Sequence, residues 1–412
     1  MEKLADGIMK QVPLGIYISV PFCRTKCSYC NFASDVFSRS VFQRYVDRVC
    51  ADIANVASTA NQVGGTLERE VDSIYLGGGT PTVLEPVQLE RMFAALRNQF
   101  EVLPGAEITV ECAPGTLSSI MLDGLLRCGV NRISLGVQSF IDGEAASVGR
   151  LHKRATVLDD ISRLRANGIS DISIDVIAGL PHQTPASWNE SLDQTFATGA
   201  PHVSVYMLEV DDDSRLGREL IAGGTRYHAH FVPDEDATAD FYLTACERLN
   251  AGGISQYEIS NFARPESESR HNLKYWTRQP YLGFGVDAHS MLKSATPELE
   301  SVRFSTPDAL EKFVAAAPLQ KIPVTRATAL EENFFLGLRL NRGVDPREIA
   351  ARFDEQVLPD LDSTIAELVA YSLLEQADGR IRLTSQGRLL SNEVFQRFLA
   401  ASPAAQSPAC GV

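Results

Sequence analysis

Six extended apolar segments, each followed by an amphipathic one, fill the first half of the chain. The segments are Gly15–Val20, Val71–Leu76, Glu107–Glu111, Arg132–Val137, Asp171–Ile177 and His202–Leu208. Between the first two, Phe42, Tyr45, Val49, Ile53 and Val56 recur at helical spacing; Leu89, Met92, Phe93 and Leu96 do so further on. Gly168 and Gly199 close helices as C-caps do. Strands that alternate with helices make a parallel sheet with right-handed crossovers. Six units predict an open or partial barrel rather than a closed eight-fold one.

The rhythm changes after about Asp211. A helix is expected over Ala237–Asn250, then Gln256–Phe262, a loop with Pro265, and a dense stretch from His271 to Ser290. From about Thr325 a second, mostly helical unit begins. It carries Ile365–Leu374, a turn at Asp378-Gly379, a strand Arg380–Leu383 and a helix Ser385–Phe398, the order of a small winged-helix-like module. The expected organisation is a barrel over 1–235, an extension over 236–320, the C-terminal domain over 325–400 and a disordered Ala/Ser/Pro-rich tail over 401–412.

A formal net charge of −14 speaks against a phosphate-backbone partner, which needs clustered Lys and Arg, so no nucleic acid is expected. For the same reason the C-terminal module reads as a lid or docking element. No run approaches the roughly 20 apolar residues of a membrane span, and Met1–Pro13 lacks the apolar stretch of a signal peptide. The expected location is the cytoplasm. There eight cysteines are not a disulfide framework, and those that cluster suit metal or redox chemistry.

Three of them do cluster. The first strand runs directly into Pro21-Phe22-Cys23-Arg24-Thr25-Lys26-Cys27-Ser28-Tyr29-Cys30. Thiolates suit iron–sulfur clusters or zinc. A structural zinc site wants a fourth ligand nearby, and the next cysteine, Cys50, lies in a helical pattern. Three thiolates on a cubane cluster leave one iron open to a chelating ligand. A zinc site completed from afar, or three incidental cysteines, are the alternatives. In a parallel barrel the active site sits at the C-terminal strand ends, and the polar oddities gather there. Gly77-Gly78-Gly79-Thr80-Pro81 follows the second strand, Glu111 and Gln138 end the third and fourth, Asp175 lies on the fifth, and Arg150 follows Gln138 by twelve residues. Glycines let backbone approach a ligand closely. Carboxylates can hold hydroxyls or an amine, and arginine can pair with a carboxylate.

Cys-x3-Cys-x2-Cys with an aromatic before the last cysteine resembles the radical S-adenosylmethionine superfamily. The resemblance implies a partial (β/α)6 barrel. It also implies a 4Fe–4S cluster on Cys23, Cys27 and Cys30, with S-adenosylmethionine on the open iron as the source of a 5′-deoxyadenosyl radical. Tyr17–Cys23, Leu76–Pro81, Leu135–Phe140, Gly179-Leu180-Pro181 and Leu383–Phe398 are similar to the oxygen-independent coproporphyrinogen III oxidase-like family. By that resemblance Tyr17, Gly79, Thr80, Glu111, Gln138, Arg150 and Asp175 bind S-adenosylmethionine. Two features favour the heme-chaperone branch. Phe32 stands where the oxidase type carries a further cysteine, and His271-Asn272-Leu273-Lys274-Tyr275-Trp276 matches that branch's H-N-x-x-Y-W motif. The resemblance therefore implies heme binding at His271, Tyr275 and Trp276. The residue types allow it, with Arg270 and Lys274 for propionates, and the alternative is that His271 and Trp276 merely cap and pack the barrel. The resemblance further implies a heme-acceptor protein and a reductant such as flavodoxin or ferredoxin. Oxidative decarboxylation of a tetrapyrrole is the second reading. Two departures stand out: Ser19 replaces the usual histidine of Y-x-H-x-P-F-C, and Asp287 replaces a small residue in the second Gly-rich run.

Overall fold

The computed structural model describes residues 12–353 and 358–399. The expected tail over 401–412 lies outside the described residues, as does most of the Met1–Pro13 start.

All six expected strands form, with ends shifted by a few residues. They are β1 (Leu14–Val20), β2 (Glu70–Gly78), β3 (Glu101–Cys112), β4 (Arg132–Gln138), β5 (Asp171–Ala178) and β6 (His202–Met207). They pair in sequence order, all parallel. Their alternation explains the layering. Ile16, Ile18, Ile74, Leu76, Val110, Ile133, Leu135, Ile172, Ile174, Val203 and Val205 are buried in the main core with the helices that cover the sheet. Each such aliphatic side chain contributes about 1.5–3 kcal/mol by leaving water. The residues between them are polar, and they line the barrel's inner face.

The dense later stretch becomes more sheet than its sequence suggested. β7 (Ser255–Gln256) and β8 (Asn261–Ala263) form a hairpin, and β8 pairs antiparallel with β6. β9 (Tyr281–Gly285) returns to pair parallel with β1 on its far side. An antiparallel meander follows through β10 (His289–Lys293), β11 (Ser301–Ser305) and β12 (Gln320–Val324). The result is one twelve-stranded sheet with β12 and β7 at its edges, so the barrel is open. These added strands are short, and their polar partners masked the period-2 pattern.

The C-terminal unit has its own core of Ile259, Val324, Phe334, Leu338, Phe353, Ile365, Leu368, Leu374, Ile381 and Phe398 among others. A helix Leu358–Ala370 leads to the hairpin β13 (Leu374–Ala377) and β14 (Arg380–Leu383). The single helix expected over Ser385–Phe398 is two, Ser385–Leu389 and Ser391–Gln396. Leu390, at φ −104° and ψ 29°, leaves the helical region between them. Among the described residues no helix is long and apolar enough to cross a membrane.

Candidate functional site at the open mouth of the barrel

The cysteine loop leaves the C-terminal end of β1 and is tied down along its whole length. Cys23 N–H donates to Asp35 O (3.0 Å), Ser28 N–H to Val148 O (3.1 Å), and Cys30 N–H to Cys27 O (3.3 Å). Thr25 Oγ1 donates to Gly149 O at 3.1 Å. Leu216 N–H reaches Ser28 O at 2.8 Å from the outer side. Cys27 is buried, while Cys23 and Cys30 are half-buried, and all three are free thiols. Burial pushes the Cys23 and Cys30 thiols up from their ordinary value, and each is raised further by Cys27.

The Gly-rich turn packs directly against this loop. Gly79 N–H donates to Val20 O (2.8 Å) and Thr80 N–H to Phe22 O (2.7 Å). A methyl group on Gly79 would stand 2.6 Å from Phe22 O, and one on Gly77 would stand 2.7 Å from Glu111 Oε1. Glycine is therefore demanded by close approach of backbone on one side and of a carboxylate on the other.

Glu111 is half-buried and accepts a hydrogen bond from the Tyr75 hydroxyl at 2.9 Å. Burial raises its carboxyl from 4.5 to about 7 against that bond, and Asp175 raises it further. Asp175, also raised by burial, accepts from Ser134 Oγ at 2.8 Å and from Ser173 Oγ at 3.1 Å. Gln138 ends β4 at φ +66°, beside an irregularity in the β4–β5 register. Its amide and the Arg150 guanidinium both crowd Gly136, whose carbonyl accepts from Arg150 Nη2. Arg150 Nη1 lies 3.6 Å from Cys27 Sγ, and Arg150 Nε is buried without a partner. The structure thus brings the cysteine loop, Gly79, Thr80, Glu111, Gln138, Arg150 and Asp175 to one mouth. Tyr17 lies one layer deeper on β1, stacked on Tyr75 with ring centroids 6.0 Å apart.

The donor set fits a cluster. Soft thiols, three on one short loop, stand beside the Arg150 guanidinium and against a turn that exposes backbone. Among the described residues no three His, Cys, Asp or Glu side chains gather tightly enough for a single metal ion. A four-iron cube spreads its thiolates over separate corners, so the donors' chemistry and setting carry the fit.

His271, Tyr275 and Trp276 do not join this mouth. Their helix, Arg270–Trp276, packs across the N-terminal ends of β1 and β2. His271 is buried, with Nδ1 3.1 Å from Ser73 Oγ and Nε2 2.9 Å from the Tyr275 hydroxyl. Trp276 lies under Arg339, whose guanidinium carbon is 4.2 Å from its ring centroid. Lys274, expected near a propionate, is buried against Asp72 at 2.7 Å and Pro13 O at 2.8 Å; Arg270 reaches Gly105 O at 2.9 Å. This group forms the floor of the barrel.

Residues 17–195 match the model of the Radical SAM superfamily, and 324–390 match the HemN C-terminal domain. The heme chaperone HemW of Lactococcus lactis subsp. lactis (strain IL1403) is 32% identical over 95% of this chain and 98% of its own. The heme chaperone HemW of Bacillus subtilis (strain 168) is likewise 32% identical, over 93% and 98%. The chain belongs to the HemW family of radical SAM proteins. Among solved structures, coproporphyrinogen III oxidase (HemN) from Escherichia coli superposes with a TM-score of 0.79 at 24% identity. The match covers 94% of this chain and 90% of that one, a likeness that shows this chain's fold, with its open sheet, to be a partial barrel of that kind.

Motif spacing had not singled out Tyr75, Ser134 and Ser173. A signal was nevertheless present. Ser73-Tyr75-Gly77, Arg132-Ser134-Gly136 and Asp171-Ser173-Asp175 place polar or small residues at every second position of otherwise apolar strands.

Proposed function

We propose that this protein binds a 4Fe–4S cluster, S-adenosylmethionine and heme, and delivers heme to an acceptor protein. One observation carries the reading. Three free thiols share a loop at the barrel mouth, beside a close-packed Gly turn and two half-buried carboxylates, in a chain alike to heme chaperones over nearly its full length. Cys23, Cys27 and Cys30 would hold three irons, leaving the fourth for the methionine part of S-adenosylmethionine. The bound cluster supplies one-electron reduction of that sulfonium. Gly79 and Thr80 offer backbone to the ligand's amine, Arg150 meets its carboxylate, and Glu111, Gln138 and Asp175 meet its ammonium and hydroxyls. Tyr17 supports them from beneath.

In the same reading the protein works in the cytoplasm, where cysteines stay reduced, and takes electrons from a flavodoxin or ferredoxin. His271, Tyr275 and Trp276 enter as the barrel floor. Heme ligation through His271 would require its bonds to Ser73 and Tyr275 to break. The division proposed is barrel 1–235, extension 236–320 and docking unit 325–400.

Anaerobic reconstitution tests the reading. Wild type should hold four irons and matching sulfide and shift the Soret band of added hemin. Cys23→Ala/Cys27→Ala/Cys30→Ala should lose the iron and sulfide. Equal iron in that variant, or no hemin spectrum in wild type, would refute it. The second reading, oxidative decarboxylation of coproporphyrinogen III, has the HemN fold behind it. Formation of protoporphyrinogen under dithionite would establish it.

A further inference from the structure

Outside the mouth, the cysteine loop forms one wall of a second cleft of about 430 Å³. Arg24, Lys26, Arg215, Arg226, Tyr227 and His228 line it, and no acidic side chain does. Four cations around one cleft stand out in a chain with a net charge of −14. The cleft also shows apolar surface to water. Val36 and Leu151, on its wall, are 56% and 73% exposed, and Phe231 beside it is 48% exposed.

The histidines single out the same place. Of seven in the chain, His152, His202 and His271 are buried. His202 is bonded at both ring nitrogens, to Ser173 and Tyr257, as His271 is to Ser73 and Tyr275. His289 stands apart on β10. Of the other three, His228 lines the cleft, and His182 and His230 lie beside it. His182 Nε2 and His228 Nδ1 are 3.1 Å apart, and the His182 and His230 rings each lie 4.1 Å from that of Phe231. The arrangement is built into the backbone. His182 N–H donates to Phe231 O at 3.0 Å. The buried Glu219 carboxylate accepts from Tyr227 N–H at 2.8 Å and Ala229 N–H at 3.1 Å, on both sides of His228. His182 and His228 both take positive φ, +69° and +61°. Leu216 N–H and Arg215 Nη1 reach Ser28 O and Lys26 O, at 2.8 and 3.3 Å, fastening this wall to the cysteine loop.

An imidazole whose second nitrogen is already hydrogen-bonded is a preset metal ligand. A tyrosine face, exposed aliphatic walls and guanidinium groups with no ion-pair partner among the described residues complete what a flat iron tetrapyrrole with two propionates asks of a protein. We propose that this cleft is the heme seat, where His228 Nε2 would ligate the iron. His182 orients His228 through its Nδ1, and Arg215 and Arg226 meet the propionates. The assignment rests on the heme-binding reading above and gives it a place. Heme would lie against the outer face of the loop that holds the cluster.

The full chain titrated with hemin tests this. His228→Ala should move or abolish the Soret band and weaken binding by about tenfold or more, a loss of roughly 1.4 kcal/mol or greater. Arg215→Glu/Arg226→Glu should weaken hemin binding and affect hemin dimethyl ester much less. His271→Gln should keep the wild-type spectrum. Arg226→Glu alone, at an exposed side chain, should keep the wild-type thermal midpoint and still weaken hemin binding. A wild-type Soret band and affinity in both His228→Ala and His182→Ala/His228→Ala would overturn the seat while leaving heme binding itself intact. A wild type with no hemin spectrum would overturn both.

Discussion

Glu111 sets the electrostatics of the mouth. Its half-buried carboxyl accepts from the Tyr75 hydroxyl, and loss of water contact, with Asp175 nearby, holds it at about 7 instead of 4.5. Between those values the folded protein keeps a proton that the unfolded chain has released. The stability it contributes is therefore full below 4.5 and lost as pH rises through 7, a swing on the order of 3 kcal/mol. Glu111→Gln should abolish this. Urea midpoints of wild type should fall relative to the variant between pH 5 and pH 8, and parallel curves would refute the assignment. S-adenosylmethionine should restore part of the wild-type loss at pH 8, since its ammonium would meet the ionised carboxylate.

The helix Arg270–Trp276 is the element that closes the barrel from below. Ser269 caps it by accepting from Asn272 N–H, and the Glu107 carboxylate accepts from Arg270 N–H (3.0 Å) and His271 N–H (3.1 Å). An anion at a helix start is the favourable sign for those unpaired donors. Burial, then Lys274, lowers His271 from 6.5 to about 3, so the folded state keeps the ring neutral. For a base depressed in this way, stability is complete above 6.5 and drains as pH falls toward 3. From this residue, about 2 kcal/mol should be lost between pH 7 and pH 5. His271→Gln should flatten that segment of the stability profile, measured by urea unfolding at the two pH values. An unchanged profile would mean that His271 is not held as a buried neutral ring.

At the scale of the molecule, one carboxylate joins the barrel extension to the C-terminal unit. Glu332, on the helix Arg326–Gly337, is buried between Arg278 Nε at 2.7 Å and Arg303 Nη1 at 2.9 Å. Arg278 follows the floor helix, and Arg303 lies on β11. Removing the shared anion strands two guanidinium groups, one of them fully buried. Glu332→Ala should cost about 3–5 kcal/mol and Glu332→Gln less. Trp276, stacked under Arg339 of the C-terminal unit, reports the separation. Its fluorescence should change in Glu332→Ala before the barrel unfolds. A single transition at the wild-type midpoint would show that the junction carries no such energy.

The local code was strong wherever periodicity had room to repeat. Ile16-Ile18-Val20, Ile133-Leu135-Val137 and Ile172-Ile174-Val176 announce strands, and the spacing of Cys23, Cys27 and Cys30 announces a metal or redox site, whose cluster the family resemblance then specifies. The first four mouth residues after them, Gly79, Thr80, Glu111 and Gln138, were legible because parallel strands bring their C-terminal ends to one side. Tertiary structure alone decided the rest. β9 returns beside β1 more than 250 positions later, a pairing no local pattern contains. The floor position of His271 depends on Ser73, 198 residues away, and on Glu107 beyond it. Likewise Lys26, Arg215 and His228 lie on three separate segments, and only the packing that brings those loops together makes a single cleft of them, with His182 beside it. Hydrophobic alternation acts between neighbours along the chain. Which distant polar groups share a buried site depends on how the whole sheet curves.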